Sequence, residues 1–312
     1  MSNHTNTPQG GRLYILQIEP PAILSLDPDR GDIKSVITNL TGIPDGIQVD
    51  GPGRTIYWTN MGRKPLIEED FPNADGLIEC CDLYGSKHEV LVDVGAIVTP
   101  KQLQLDAANG LLYWCDREGM AVIRCRIDGS ELTPILRTGN WPEDTPDRLR
   151  HCVGIALDTR NRHIYWTQKG PPDGGRGRIF RMGLTLPSGA KPNTRSDIKL
   201  MLDELPEPID LEIDHLSGHL YWTDRGNLPG GNSLNRAKIT REGLEDHQVL
   251  ATGLLEGIGL ALDMERRRIF LSDLSGAIRV LALDSGNLTT IHQCSGGATG
   301  LAYLKEQSKN WF

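Results

Sequence analysis

The chain has 312 residues, a formal net charge of −8 and a pI near 5.5. No basic stripe offsets the acidic balance, which argues against nucleic acid as a partner, and solubility is the ordinary use of such charge. The polar stretch Met1–Gly11 lacks the apolar core of a secretory signal, and no run approaches the length of a membrane helix. The expectation is an intracellular, cytoplasmic protein without a membrane partner.

In chain order, one short pattern recurs five times. An Asp closes an apolar run, six residues follow, and an aromatic opens a tetrad. The tetrads are Tyr57-Trp58-Thr59-Asn60, Tyr113-Trp114-Cys115-Asp116, Tyr165-Trp166-Thr167-Gln168, Tyr221-Trp222-Thr223-Asp224 and Phe270-Leu271-Ser272-Asp273. A repeat of roughly fifty residues with four strand-like runs per unit is the signature of a β-propeller. The 35 glycines and 19 prolines suit such a turn-rich all-β chain.

Each unit opens with an apolar, small-residue run ending in Asp: Gly46–Asp50, Gln102–Asp106, Gly154–Asp158, Asp210–Asp214 and Gly259–Asp263. Such runs suit the crowded innermost strand. The tetrad is then the second strand, alternating runs such as Ile123–Ile127 the third, and Pro134–Arg137 or His247–Leu250 the fourth. Gly300–Leu304 matches an innermost strand with no tetrad after it, and Arg12–Leu16 matches a second strand with nothing before it. Together the two ends complete a sixth four-stranded antiparallel blade, and that closure leaves no open edge. The expected layout is a disordered segment over residues 1–11, one six-bladed propeller over 12–304, and a tail over 305–312.

Residues 12–304 resemble the YWTD propeller of the low-density-lipoprotein receptor family. The resemblance implies that the tetrads are structural, with aromatics packed between blades and the Asp tying neighbours together. Asn60, Gln168 and the Phe270-Leu271 pair depart from that pattern, which predicts looser junctions there.

Of the six cysteines, at 80, 81, 115, 125, 152 and 294, none forms a Cys-x-x-Cys pair, and most fall in strand patterns where a reduced buried thiol is expected. Cys115 and Cys125 could meet across neighbouring strands. Sequons at Asn3, Asn39 and Asn287 matter only in a secretory context.

In a propeller, second-to-third loops and blade-to-blade links open on one face. The long segments 61–76, 138–152, 169–177 and 225–232 all fall there, and extended loops on a rigid rim commonly carry function. The site is expected at the mouth of the central channel. Candidate catalytic residues are Arg148, Arg150, His151 and Gln168. Candidate substrate contacts are Trp141, Met61, Arg63, Phe71, Asn60 and Asp116. Trp141 offers an aromatic wall and His151 a group able to exchange protons near neutral pH; bracing of loops by these same residues is the competing reading. No zinc-protease, phosphate-loop or nucleophile-elbow motif occurs, so no metal and no cofactor is expected.

The receptor propellers sit beside cysteine-rich modules that this sequence lacks. It is similar in that respect to stand-alone propellers of fungal secondary metabolism, some of which are hetero-Diels–Alderases joining a quinone-methide unit to a terpene alkene. That resemblance implies cofactor-independent, non-redox chemistry on an apolar polycyclic or terpenoid substrate. The alternative is a non-catalytic scaffold that holds a protein or ligand on the same rim.

Overall fold

The computed structural model describes residues 10–63 and 73–305. Its strands form six four-stranded antiparallel sheets, each in simple sequence order except the one that joins the two ends. Blade 1 sets Ala298–Lys305 innermost, followed by Gly11–Ile18, Pro21–Leu26 and Ile33–Thr38. Blade 2 comprises Pro44–Asp50, Thr55–Asn60, Leu77–Asp82 and Glu89–Val92, and blade 3 Pro100–Asp106, Leu111–Asp116, Ala121–Arg126 and Thr133–Arg137. Blade 4 holds Cys152–Asp158, His163–Gln168, Gly177–Gly183 and Lys199–Leu205. Blade 5 holds Pro208–Asp214, His219–Asp224, Ser233–Ile239 and Leu244–Thr252, and blade 6 Gly257–Asp263, Arg268–Asp273, Ala277–Ala282 and Asn287–Gln293. The closure expected from the terminal half-motifs is observed, with Tyr14 paired to Ala302 and Leu13 to Tyr303. Gly11 and Lys305 are already strand residues. The remainder of the two expected terminal segments, 1–9 and 306–312, lies outside the described residues.

The tetrads hold the ring together in two ways. Their aromatics are buried in apolar clusters between successive blades: Tyr57 packs with Trp114 of blade 3, Tyr113 with Trp166 of blade 4, and Tyr165 with Trp222 of blade 5. Their third residue acts at the axis. Each innermost strand carries a bulge near its start, where two residues face one on the second strand, as between Pro44 and Ile47. A bulge leaves a backbone N–H without a ladder partner, and the tetrad hydroxyl accepts it: Thr59 from Gly46 (2.7 Å), Thr167 from Gly154 (2.7 Å) and Thr223 from Asp210 (3.2 Å). The same hydroxyl donates to the next blade, Thr167 to the Ile209 carbonyl and Thr223 to that of Ile258. Glycine at the third innermost position follows from the close approach of the neighbour: a Cβ on Gly154 would lie 1.8 Å from the Ile209 oxygen.

The junctions expected to be loose are closed. Asp116 accepts from the Val98 and Thr99 amides, and Asp273 from the Leu255 amide, so each Asp clamps the link entering its blade. Asn60 and Gln168 clamp their links with reversed polarity, donating to the carbonyls of Thr41 (2.7 Å) and Arg150 (3.4 Å). Phe270 and Leu271 are fully buried, and Phe270 packs against Tyr303 with ring centroids 5.3 Å apart. All six thiols are buried and unbridged. Cys115 and Cys125 do not meet: Cys115 pairs with Val122 and Cys125 with Leu112, and alternation sends the two thiols into different inter-blade clusters.

One loop departs from the expected one-sided distribution. Residues 184–198 join the third and fourth strands of blade 4 and therefore lie on the opposite face. Buried Arg195 anchors them, donating to the Ile135 carbonyl of blade 3 and pairing with Asp197.

Candidate functional site

The channel mouth is built from the second residue of each innermost strand and the residue after each tetrad. The former are Asp45, Lys101, Val153, Ile209, Ile258 and Thr299, all buried. Val153, Ile209 and Ile258 pack together on one side. On the other, Lys101 Nζ donates to Asp45 Oδ1 at 2.6 Å, and the Gln102 amide donates to Asp45 Oδ2 at 3.2 Å. At the mouth, where the sequence places the site, these side chains form a buried floor. Below it, Gln104 of blade 3 reaches across the axis to Glu212 of blade 5 at 2.9 Å. Burial raises the Glu212 carboxyl to about 7, and raises that of Asp210 well above the usual carboxylate range.

Above the floor the rim is two-sided. After the tetrads of blades 3, 4 and 5 come Arg117, Lys169 and Arg225; at the same position blades 1, 2 and 6 carry Ile18, Met61 and Leu274. Each cation has a carboxylate. Arg117 pairs with fully buried Glu118, Lys169 Nζ lies 2.7 Å from Glu207 Oε2, and Arg225 spans Glu207 and Glu256. Burial lowers the pKa of Lys101 and of Lys169, against the pull of their acidic partners. Burial opposes ionisation of Glu118, but Arg117 beside it holds its carboxyl below the usual range. The apolar half includes Leu255, whose carbonyl accepts from the Leu274 amide and whose side chain is 58% exposed.

The sequence candidates divide by accessibility. Asn60, Asp116, Gln168 and His151 are buried. His151 Nε2 lies 2.9 Å from the Thr145 carbonyl, and burial lowers its pKa below the usual histidine value, so the ring is neutral near pH 7. Gln168 Oε1 accepts from Arg178, which also donates to the Leu149 carbonyl. Met61 is buried, its sulfur 3.1 Å from Lys101 Nζ. Arg148 and Arg150 form a single turn of 3-10 helix capped by Asp147, where Arg150 donates to Asp147 and to the Thr138 carbonyl. Trp141 is 38% exposed on the same link, and Arg63 is an outward side chain near Asp75. Phe71 lies outside the described residues. The structure thus brings Met61 against Lys101 of the floor and His151 near Glu118 and Arg117, while Trp141, Arg63 and Arg150 stand further out. Arg117, Lys169 and Arg225 were missed, although basic residues directly after three consecutive tetrads are visible once the repeats are aligned. Beside this link a cavity of about 230 Å³ is lined by Leu149, Arg176, Arg178, Asp203 and Glu204. Among the described residues no group of His, Cys, Asp and Glu is arranged to hold a metal ion. No helix in them is long and apolar enough to cross a membrane.

No protein-family model matches the chain. It is 41% identical over 318 residues to a Pyricularia oryzae protein called low-density lipoprotein receptor-related protein 1, covering 96% of this chain and 100% of that one. It is 37% identical over 272 residues to the 3-hydroxyacyl-CoA dehydrogenase-like protein LAM1 of Cochliobolus heterostrophus, covering 83% of this chain but 56% of that relative. Among solved structures, the nidogen/laminin complex contains a chain matching with TM-score 0.73 at 17% identity, over 95% of this chain and 98% of that one. A gluconolactonase from Xanthomonas campestris matches with TM-score 0.60 at 18% identity, over 95% of this chain and 91% of that one, a likeness of fold. With its tetrads, its six closed blades and these relatives, the chain belongs to the low-density-lipoprotein-receptor-related YWTD β-propeller family.

Proposed function

We propose that the chain is a cofactor-independent, non-redox enzyme acting on small molecules of secondary metabolism, in the manner of a hetero-Diels–Alderase. The observation that carries this reading is the two-sided rim. Ile18, Leu274 and Leu255 offer an apolar arc, and Arg117, Lys169 and Arg225 a cationic one, over a floor of buried side chains. An alkene-bearing terpene fits the first arc and an oxygenated electrophile the second.

In such a reaction an ortho-hydroxybenzyl alcohol, or its tropolone counterpart, loses water to give a quinone methide. The ring hydroxyl gives up its proton and the benzylic hydroxyl leaves with it. The alkene then forms one bond to the exocyclic carbon and one to the carbonyl oxygen, with no electron donor or acceptor needed. Holding the partners in near-attack geometry contributes on the order of 7–11 kcal/mol. A guanidinium or ammonium directed at the carbonyl stabilises charge developing there. Trp141, Arg148, Arg150 and Arg63 would extend the binding surface outward, with His151 and Gln168 supporting it from below.

The test supplies a hydroxybenzyl alcohol precursor and a trisubstituted-alkene terpene, followed by chiral chromatography with mass detection. The expected product has the summed mass less water and an enantiomeric excess. The variants Lys169→Met and Arg225→Gln, checked as folded by circular dichroism at the assay temperature, should lose most of that excess. Racemic product at the buffer rate, or variants that retain full selectivity, would refute the assignment. A protein-binding scaffold is the reading that would then stand.

A further inference from the structure

A cavity of about 840 Å³ lies on the opposite face, between blades 1 and 2. Its origin can be read from the repeat. The residue paired with the tetrad's first aromatic on the third strand is Arg124, Arg181 and Arg236 in blades 3, 4 and 5. Arg181 extends over the junction and donates to the carbonyls of Thr240 and Arg241, in the turn between the third and fourth strands of the next blade. Blade 1 has Ser25 at this position, opposite Tyr14. The short side chain leaves open the space that Arg181 occupies between blades 4 and 5.

The turn above that space is also unlike its counterparts. In five blades the amide at the end of the third strand or just past it bonds a left-handed residue of the first turn: Leu83 to Arg54, Ile127 to Gly110, Leu184 to Arg162, Ile239 to Gly218 and Leu283 to Arg267. The next residue is Asp128, Thr185, Thr240 or Asp284 in blades 3 to 6, but Tyr84 in blade 2. The fold therefore does not require an aromatic there. Tyr84 is 74% exposed, yet fixed: Arg54 lies over its ring at 5.5 Å and donates to its hydroxyl at 2.8 Å. The wall is pre-formed, because Gly85 sits so close to blade 1 that a Cβ would lie 2.0 Å from the Val36 oxygen.

Charge completes the case. Arg12, Lys34, Arg54 and Lys305 line the cavity and no carboxylate does. Lys305 pairs with Glu265, Arg12 donates to the Asp32 carbonyl, and Lys34 has no ion-pair partner among the described residues. The nearby carboxylates are occupied by turn amides, Asp50 by Gly53 and Asp82 by Tyr84 and Ser86. Val36, Leu83 and Leu304 supply the apolar lining. We propose that this groove binds an organic anion, a carboxylate or sulfonate carried on an aromatic or aliphatic body, at a site separate from the channel mouth. The body would lie against Tyr84 and Leu83 and the anion between Lys34 and Arg54. The size is within the usual range for small-molecule sites.

Calorimetric titration of the full chain with 1-naphthoate, with neutral 1-naphthamide as the matched control, tests this independently of the activity proposed above. Saturable one-site binding of naphthoate is expected, at least tenfold tighter than naphthamide. Lys34→Gln combined with Arg54→Gln, both exposed positions, should weaken naphthoate binding at least tenfold. The pair Arg176→Gln and Arg241→Gln, an equal charge loss elsewhere, should leave it unchanged. Ser25→Arg, which installs the residue that bridges blades 4 and 5, should abolish binding with the melting temperature preserved. Absence of naphthoate binding at millimolar concentration, equal affinity for the amide, or unaltered binding in folded Ser25→Arg would overturn the proposal.

Discussion

Restoring the repeat's own Asp at position 60 is expected to destabilise the protein. Asn60 is buried, and its amide group donates to the Thr41 carbonyl at 2.7 Å and to Glu79 Oε2 at 2.9 Å. Glu79, also buried, accepts in addition from Trp58 Nε1 at 3.1 Å and lies 2.8 Å from His88 Nε2. Elsewhere the tetrad Asp meets backbone N–H groups; here the link presents a carbonyl, and the third strand a carboxylate. Asn60→Asp turns both donors into an acceptor. Losing a hydrogen bond to a charged group costs about 1.5–3 kcal/mol, and leaving a buried carbonyl unpartnered about 1–3 kcal/mol. The combined loss is roughly 3–5 kcal/mol, a melting-temperature drop on the order of 6–10 °C for a chain of this size. The effect carries a pH signature. Glu79 raises the introduced carboxyl's folded-state pKa above its unfolded value of about 3.9, so the penalty is complete above the raised pKa and fades as pH falls through it. Circular dichroism melts at pH 8 and pH 5.5 should therefore show the larger deficit at pH 8. Glu79→Gln added to Asn60→Asp should recover part of it by returning a donor. A single variant as stable as the parent at pH 8, or a deficit that grows on acidification, would refute the reasoning.

Trp222→Ala, which empties a fully buried position packed on His247 at 4.8 Å, should cost roughly 3–5 kcal/mol without a selective loss of ligand binding; chemical denaturation measures the first and titration the second. Glu212 ionises only near pH 7 in the folded channel, so it binds its proton more tightly there than in the unfolded chain. Stability should fall as pH rises from about 4.5 through 7, by on the order of 3 kcal/mol from this group. Glu212→Gln should flatten that part of the pH–stability curve, and an unchanged slope would show that the carboxyl is not held as described.

Five tetrads at fixed spacing determined the ring, its blade count and the shared terminal blade, because each repeat can bury its aromatics only against the next. The face opened by the long links followed from strand alternation alone. What the sequence left undecided depended on neighbours distant in the chain. Asn60 and Gln168 read as defects until the structure placed a carbonyl rather than an amide in front of them. His151 read equally as a proton carrier over the channel and as a loop histidine bonded to backbone, and packing buries it with Nε2 on the Thr145 carbonyl. At the channel mouth Val153, Ile209 and Ile258 of blades 4, 5 and 6 pack together and Lys101 of blade 3 reaches Asp45 of blade 2, contacts that exist only once the ring is formed. The cavity between blades 1 and 2 likewise depends on Ser25 facing a turn far from it in the chain. Periodicity is a local property and survives in the sequence, whereas burial, polarity at a junction and the space left by a missing side chain belong to contacts between blades.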